Sequence, residues 1–367
     1  MAGRKMRIAV LPGDGIGAEV VEAALPIIEA VGLPWTLEIG DIGWEFWKHE
    51  GTPVPPRTWD LITRSAATLV GAVTSKPPRE ARAELDVGLR SGGRIYVSPV
   101  IQLRQRLALF ANLRPVADLR GDRFGFVVIR ENTEGLYSGI DYREVPEALW
   151  PSVGTHPNAA RSGREHTAMS IRLQTEFGLR RIIEFGFSFA ARHGFHRVTL
   201  ADKPNVLRNS SELVREIFDD VGRKYPQIEG EILNVDAVGL WIVTRPERFG
   251  VIVAENMFGD ILSDVGAGVM GGLGLATSGN IGSVGTYFEP VHGSAPALVG
   301  AQRANPLAMI LTIAQMAAHH GFTTQAQVIN AAVRRVIVLN RADELTPDLG
   351  GHATTSAAAH AVIGAVK

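Results

Sequence analysis

Short, uninterrupted apolar runs alternate with longer helical stripes along most of this chain. Arg7 to Leu11, Ala67 to Val73, Phe124 to Ile129, Val198 to Ala201, Ile232 to Val235 and Val251 to Ala254 are compact and almost wholly apolar, and they predict buried strands. Ala18 to Val31, the stripe Leu179, Ile182, Ile183, Gly186 and Ala190 before Gly194, Leu307 to His320, Gln325 to Leu339 and the alanine-rich Ser356 to Val366 carry helical spacing. Strand, loop and helix in alternation place the chain in the α/β class. Ser98 to Val116 reads as a helix with an apolar face of Leu103, Leu107 and Phe110, flanked by Arg104 and Arg114. Trp150 to Arg164 (WPSVGTHPNAARSGR) is rich in Pro, Gly and Ser and lacks periodicity, so the expectation there is a long loop or arm, disordered or laid against a partner.

The ends of the strand-like runs hold the chemistry. Val251 to Ala254 runs into Glu255-Asn256, and a helix is expected from near Gly259 with Asp260 and Asp264 in its first turns. Residues four apart share a helix face, so the two carboxylates are a seat for a hard divalent cation; compensation of the helix dipole is the other reading. Arg130, with Tyr137 shortly after, Lys203 and Asp236 stand at three further strand ends, where ligands gather in open α/β sheets. Four such endings converge on a site.

The glycines of LPGDGIG, at 13, 15 and 17, do not fit G-x-G-x-x-G, so the Rossmann fingerprint is missing and a tight turn near a ligand is the safer reading. Gly266 to Gly282 is glycine-dense, hence close-packed backbone or a hinge. Within Phe288 to Pro306, His292, Gly293 and Ser294 form a loop suited to close approach of a phosphate or nucleotide, or simply a turn. His193, His196 and the pair His319-His320 stand apart from other ligand types, which argues against zinc.

Composition narrows the classes. At 367 residues, 46% hydrophobic and 20% charged, the chain suits two domains or one large α/β body. A net charge of -1 recommends neither nucleic acid nor an anionic membrane as partner. No cysteine is present, which excludes disulfides, thiolate nucleophiles and Cys-ligated metal. No apolar stretch is long enough for a signal core or a membrane span, and the expectation is a cytoplasmic protein.

LPGDGIG, LRQRLALFANLRPV, RENTEGLY, ADKPNVL, VDAVGL, NMFGDILSD, FEPVHGSAP, ANP and TPDLGG together resemble the β-decarboxylating dehydrogenases, the family of isocitrate, isopropylmalate, homoisocitrate and tartrate dehydrogenases. The resemblance implies a two-domain, isopropylmalate dehydrogenase-like fold with a mixed central sheet flanked by helices, not a Rossmann domain. Residues 1–109 and 271–367 would form a large cofactor-side domain, and 110–270 a small domain with the metal site, the arm at about 150–165 and a homodimer interface. It implies that Arg104, Arg114 and Arg130 clamp the carboxylates of a malate-type acid and that Tyr137 and Lys203 are the acid–base pair. Asp236, Asp260 and Asp264 would hold Mg2+ or Mn2+, with Lys203 and Asp236 reaching in from the second subunit. Thr74, Glu289, His292, Gly293, Ser294, Ala295, Ala297 and Asn305 would bind the cofactor.

Substrate choice in such enzymes rests on the residues before Arg104. Ser98 matches the serine that meets a third carboxylate in isocitrate-type members, and SPVIQLR is most similar to homoisocitrate dehydrogenases; Val97 stands where isopropylmalate enzymes have glutamate. Val100 and Ile101 are able to line an apolar pocket, which keeps a 3-alkylmalate as the alternative. Ala297 departs from the aspartate of NAD-using relatives, so NAD is the expectation and NADP, met by Arg303, the alternative. Pro204 replaces the usual small residue after Lys203 and biases the lysine backbone toward extended geometry. Retention of Tyr137, Lys203, Asp236, Asp260 and Asp264 weighs against a non-catalytic regulatory subunit.

Overall fold

The computed structural model, which describes residues 5–366, has twelve strands, β1 (Met6–Gly13), β2 (Trp35–Ile39), β3 (Ala67–Ala72), β4 (Leu109–Ala117), β5 (Gly125–Glu131), β6 (Asp141–Tyr142), β7 (Met169–Ser170), β8 (Arg197–Asp202), β9 (Glu229–Asn234), β10 (Val251–Ala254), β11 (Thr277–Gly282) and β12 (Thr286–Pro290), and the six apolar runs account for β1, β3, β5, β8, β9 and β10. Ten of them form one sheet in the order β2-β1-β3-β12-β11-β4-β5-β10-β8-β9, and β6 pairs with β7 in a separate ribbon. The large sheet is mixed. β4 runs antiparallel to both β11 and β5, and β11 antiparallel to β12, while β5, β10, β8 and β9 are mutually parallel.

Helices cover the sheet, as the expected mixed α/β architecture requires. All four residues of β10 are buried, which is why that run shows no polar alternation. Helix Glu176–His193 buries the stripe expected of it, Leu179, Ile182, Ile183, Gly186 and Ala190, and packs on β10 and β5. Burying each large aliphatic side chain of that stripe contributes about 1.5–3 kcal/mol, which is what fixes the helix on the sheet.

Several expectations are corrected. Ser98 to Val116 is not one helix: it is helix Pro99–Arg106, a turn in which Ala108 takes φ 48°, and then β4. Arg104 and Arg114 therefore lie on different elements. The stretch Trp150 to Arg164 is not a structureless arm but two short helices, Trp150–Val153 and Pro157–Ser162, each with proline in its first turn, where the missing N–H costs nothing. The helix after β10 begins at Asn256, not Gly259, because Glu255 caps it by accepting from the Phe258 N–H at 3.1 Å. Asp236 stands in the first turn of helix Val235–Thr244 rather than at a strand tip. Gly266 to Gly282 ends one helix and then supplies β11, a nearly fully buried strand. Among the described residues no helix is long and apolar enough to cross a membrane.

Candidate active site

Arg130 is the last-but-one residue of β5, Asn256 and Asp260 open the helix after β10, Lys203 follows β8 and Asp236 follows β9. The four parallel strands thus deliver these groups to one edge of the sheet. A cleft of about 550 Å³ at that edge is lined by Ile101, Arg104, Arg114, Arg130, Tyr137 and Asp260, with Asn132 and Asn256 in its wall.

The cleft is a cationic cup with an acidic rim. Arg130 is 3% exposed and ion-paired with Asp260, and its Nε and Nη2 donate to Asn256 Oδ1 at 3.0 and 2.7 Å. Burial pushes the Arg130 guanidinium down to about 10; Asp260 opposes that fall, and the cations Arg104 and Arg114 add to it. Arg114 donates from Nη1 to Asp264 Oδ1 at 3.0 Å and to Ser263 Oγ at 2.7 Å, and its Nε is held by Asn112 Oδ1 at 2.8 Å. Tyr137, half exposed, donates to Asp260 Oδ2 at 3.3 Å, and its ring lies 5.5 Å from the Arg130 guanidinium carbon. Partial burial and then the Asp260 carboxylate raise the Tyr137 phenol, so it stays protonated at neutral pH. Desolvation raises the Asp264 carboxyl against the pull of Arg114.

Lys203 and Asp236 form an ion pair with each other, Asp236 being 68% exposed, and the lysine holds that carboxyl below its usual range. Neither lines the cleft of their own chain. Among the described residues no three His, Cys, Asp or Glu side chains converge tightly enough to hold a metal.

Ser98 precedes helix Pro99–Arg106, and its Oγ accepts from Ser75 Oγ at 2.9 Å, while Ile101 reaches the cleft wall and Val100 stays half-buried. The glycine turn after β1 seats on the loop after β12: the Ile16 N–H donates to the Ser294 carbonyl at 2.9 Å, Thr74 Oγ1 donates to Ser294 Oγ at 2.8 Å, and a Cβ on Gly15 would meet that carbonyl at 1.9 Å. Ala295 holds φ 36°, Gly293 and Ala297 are exposed, and Asn305 is tied to Asp348 and the Leu307 N–H, both at 2.9 Å. Burial lowers the His292 imidazole, which therefore stays neutral.

A family model described as isocitrate/isopropylmalate dehydrogenase matches residues 7–365. The chain belongs to that family. Protein DlpA of Legionella pneumophila is 54% identical over 360 residues, an alignment that takes in 98% of this chain and 58% of DlpA, so the chain spans little more than half of that relative. The 3-isopropylmalate dehydrogenase of Methanothermobacter thermautotrophicus is 39% identical over 353 residues, covering 95% of this chain and 94% of that protein. The solved isocitrate dehydrogenase of Methylococcus capsulatus superposes with a TM-score of 0.83 at 37% identity, covering 98% of this chain and 99% of its own.

The resemblance read from the motifs is thus confirmed at the level of family and fold. Sequence reasoning passed over several residues that shape this dehydrogenase-family site. Asn256, which follows the β10 run without a charge to mark it, is Arg130's principal neutral partner. Asp14, read as part of a turn, accepts from the backbone N–H groups of Trp44 at 2.6 Å and Thr74 at 2.7 Å and so ties the glycine turn to the segment after β3. Asn112 and Asn280, both 0% exposed, join Arg114 to Glu289: Asn112 Nδ2 donates to Asn280 Oδ1 at 2.8 Å and Asn280 Nδ2 donates to Glu289 Oε1 at 3.2 Å, and nothing in the local pattern announces them.

Proposed function

We propose that the chain catalyses metal-dependent oxidative decarboxylation of a 2-hydroxy acid with a 3-carboxylate, of homoisocitrate or isocitrate type, using NAD. The observation that carries this reading is the single cleft in which Arg104, Arg114 and Arg130 face Tyr137 and Asp260. Three guanidinium groups around one cavity suit a di- or tricarboxylate held bidentately. The donor set fits a hard cation: Asp260 and Asp264 are carboxylates on one helix face, and with no third acid close by among the described residues of the same chain, Asp236 from a second copy is the natural complement. The exposed Leu240, Val243 and Ile261 on adjacent helices offer an apolar face for that copy. The two-domain division at 109/110 and 270/271 belongs to the same proposal, as does NAD over NADP.

Asp260, Asp264 and a second copy's Asp236 would hold Mg2+ or Mn2+, which would supply positive charge beside the substrate, and Thr74, Glu289, His292–Ala295, Ala297 and Asn305 would hold a nicotinamide dinucleotide, which would supply the hydride acceptor. The protein does the rest. The arginines fix the acid so that its reacting bonds are aligned, which needs no covalent partner. Lys203, from the same second copy as Asp236, takes the proton of the 2-hydroxyl as C2 loses hydride. When the 3-carboxylate leaves as carbon dioxide, its bonding pair stays on C3, and Tyr137 delivers a proton there.

Ile101 in the cleft wall favours one second reading, a 3-alkylmalate such as isopropylmalate. Isocitrate, homoisocitrate, isopropylmalate and tartrate, each assayed with NAD and NADP in the presence of Mg2+, separate the readings. Turnover of homoisocitrate or isocitrate by the purified chain is expected. Reaction with isopropylmalate alone would overturn the role given to Ser98, and no reduction of either nucleotide would return the chain to the class of non-catalytic subunits.

A further inference from the structure

We infer that Arg172 is a positioning residue: one buried guanidinium that joins the two segments delivering Tyr137 and Asp260 to the cleft of their own chain with the segment delivering Lys203, which completes the cleft of a second copy. The roles of those three side chains come from the dehydrogenase reading above; their linkage is a matter of geometry.

Arg172 is 13% exposed at its side chain, and its Nη2 donates to Asp202 Oδ1 at 3.1 Å. Asp202, 3% exposed at its side chain, closes β8 immediately before Lys203. On the other side, the Arg172 guanidinium carbon lies 5.1 Å from the Phe258 ring centre, in the first turn of the helix that carries Asp260. The backbone around Arg172 is stitched to the Tyr137 segment. Gly135 N donates to the Leu173 carbonyl at 2.8 Å, Leu173 N to the Gly135 carbonyl at 3.2 Å, and Ile171 N to the Ile140 carbonyl at 2.9 Å.

A small cavity of about 20 Å³ lies where these segments meet, with Arg172, Gln174, Asp202, Glu255 and Gly135 in its wall. Arg172 Nε and Nη1, Gln174 Oε1, Asp202 Oδ2 and Glu255 Oε2 are buried there without a protein partner, donors and acceptors together. The space suits a single bridging water, which would extend the Arg172 node to Glu255, the cap of the Asp260 helix. Gly135 allows this closeness, since a Cβ there would meet Glu255 Oε2 at 2.1 Å. A buried charge paired with one anion and packed on one ring has few arrangements of low energy, because parting it from the anion leaves both charges unpaired in a low-dielectric setting. That is the physical means by which Arg172 holds three separately folded segments in register.

The test compares wild type with Arg172→Lys, Arg172→Met, Phe258→Leu and, as control, Arg197→Met, which removes the exposed Arg197–Glu229 pair at the other end of β8. Hydrogen exchange at residues 133–139 and 256–262 is read alongside kcat and KM. Arg172→Met is expected to lower kcat at least tenfold with KM for the acid changed less than threefold, since the arginine clamp is untouched, and to speed exchange in both segments. Arg172→Lys should recover part of each effect, Phe258→Leu should speed exchange only at 256–262, and the control should change nothing. Should Arg172→Met not fold, the Lys and Phe258 variants carry the comparison. Unchanged exchange in both segments, or kcat within twofold of wild type, would overturn the role. Exchange does not depend on turnover, so a wild-type chain inactive toward every acid would defeat the dehydrogenase reading while leaving this result legible.

Discussion

Replacing Asn256 with alanine probes how the buried guanidinium of Arg130 is held. Asn256 is 1% exposed, and its Oδ1 accepts two bonds from Arg130, at 3.0 and 2.7 Å, while its Nδ2 donates to the Glu134 carbonyl at 3.1 Å. A hydrogen bond to a charged group contributes about 1.5–3 kcal/mol net. Two are lost, but Arg130 keeps Asp260 and can tilt toward the cleft, so the expected loss of folding stability is about 2–4 kcal/mol. If half of that is also lost in holding the acid at its transition state, kcat/KM falls about five- to thirtyfold. Urea unfolding followed by fluorescence gives the first quantity and steady-state nucleotide reduction the second. Asn256→Asp retains an acceptor for Arg130 and should be the more stable of the two variants, yet its added negative charge should raise KM for a polyanion. An alanine variant within 0.5 kcal/mol of wild type by the same yardstick, and within twofold in kcat/KM, would show that Arg130 is held by Asp260 alone and refute the reasoning.

Tyr137→Phe should cut kcat by about a hundredfold or more while KM for the acid stays near wild type, because it removes a proton donor and not a carboxylate contact; a normal kcat would take Tyr137 out of the chemistry. Mixing a Lys203→Met chain with an Asp260→Asn chain, each inactive alone, should restore about a quarter of wild-type activity if every site draws on both chains of a dimer; no recovery would place Lys203 in the same site as its own Asp260. His319 titrates at about 4, depressed first by desolvation and then by His320, Arg192 and His193, against an ordinary value of 6.5. The unfolded chain therefore binds the extra proton first, so the contribution of His319 to stability is present above pH 6.5 and is lost as pH falls toward 4. His319→Gln should flatten that part of the stability–pH curve measured by urea midpoint, and an unchanged curve would remove His319 from the account.

β1, β3, β5, β8 and β10 were legible because a strand buried on both faces leaves a bare apolar run, as β10 does. The same property hid β4. Its Leu109, Ala111 and Leu113 follow a true helix without a polar break, so Leu103, Leu107 and Phe110 mimic one continuous stripe, and only the left-handed Ala108 separates the two elements. The metal and acid–base candidates could be placed because carboxylate, lysine and arginine are conspicuous at strand ends. Asn256, Asn112 and Asn280 could not, since the bonds that bring them together with the site, Asn256 to Arg130 and Asn112 to Asn280, span 126 and 168 residues, and an amide in an apolar run carries no charge signal. Trp150 to Arg164 was misread for a different reason: proline there opens short helices instead of preventing them.

β3 lies between β1 and β12, and the turn at Gly13–Gly15 closes against Ser294. On the ribosome these neighbours emerge far apart in time. At about 5–20 residues per second, the edge of β3 waits on the order of ten to forty seconds for β12 to be made. For that interval the nascent amino-terminal unit presents an open, apolar strand edge, the kind of surface that invites pairing with other chains. Holdase chaperones should therefore engage this protein early in its synthesis and release it only once the last third of the chain has docked.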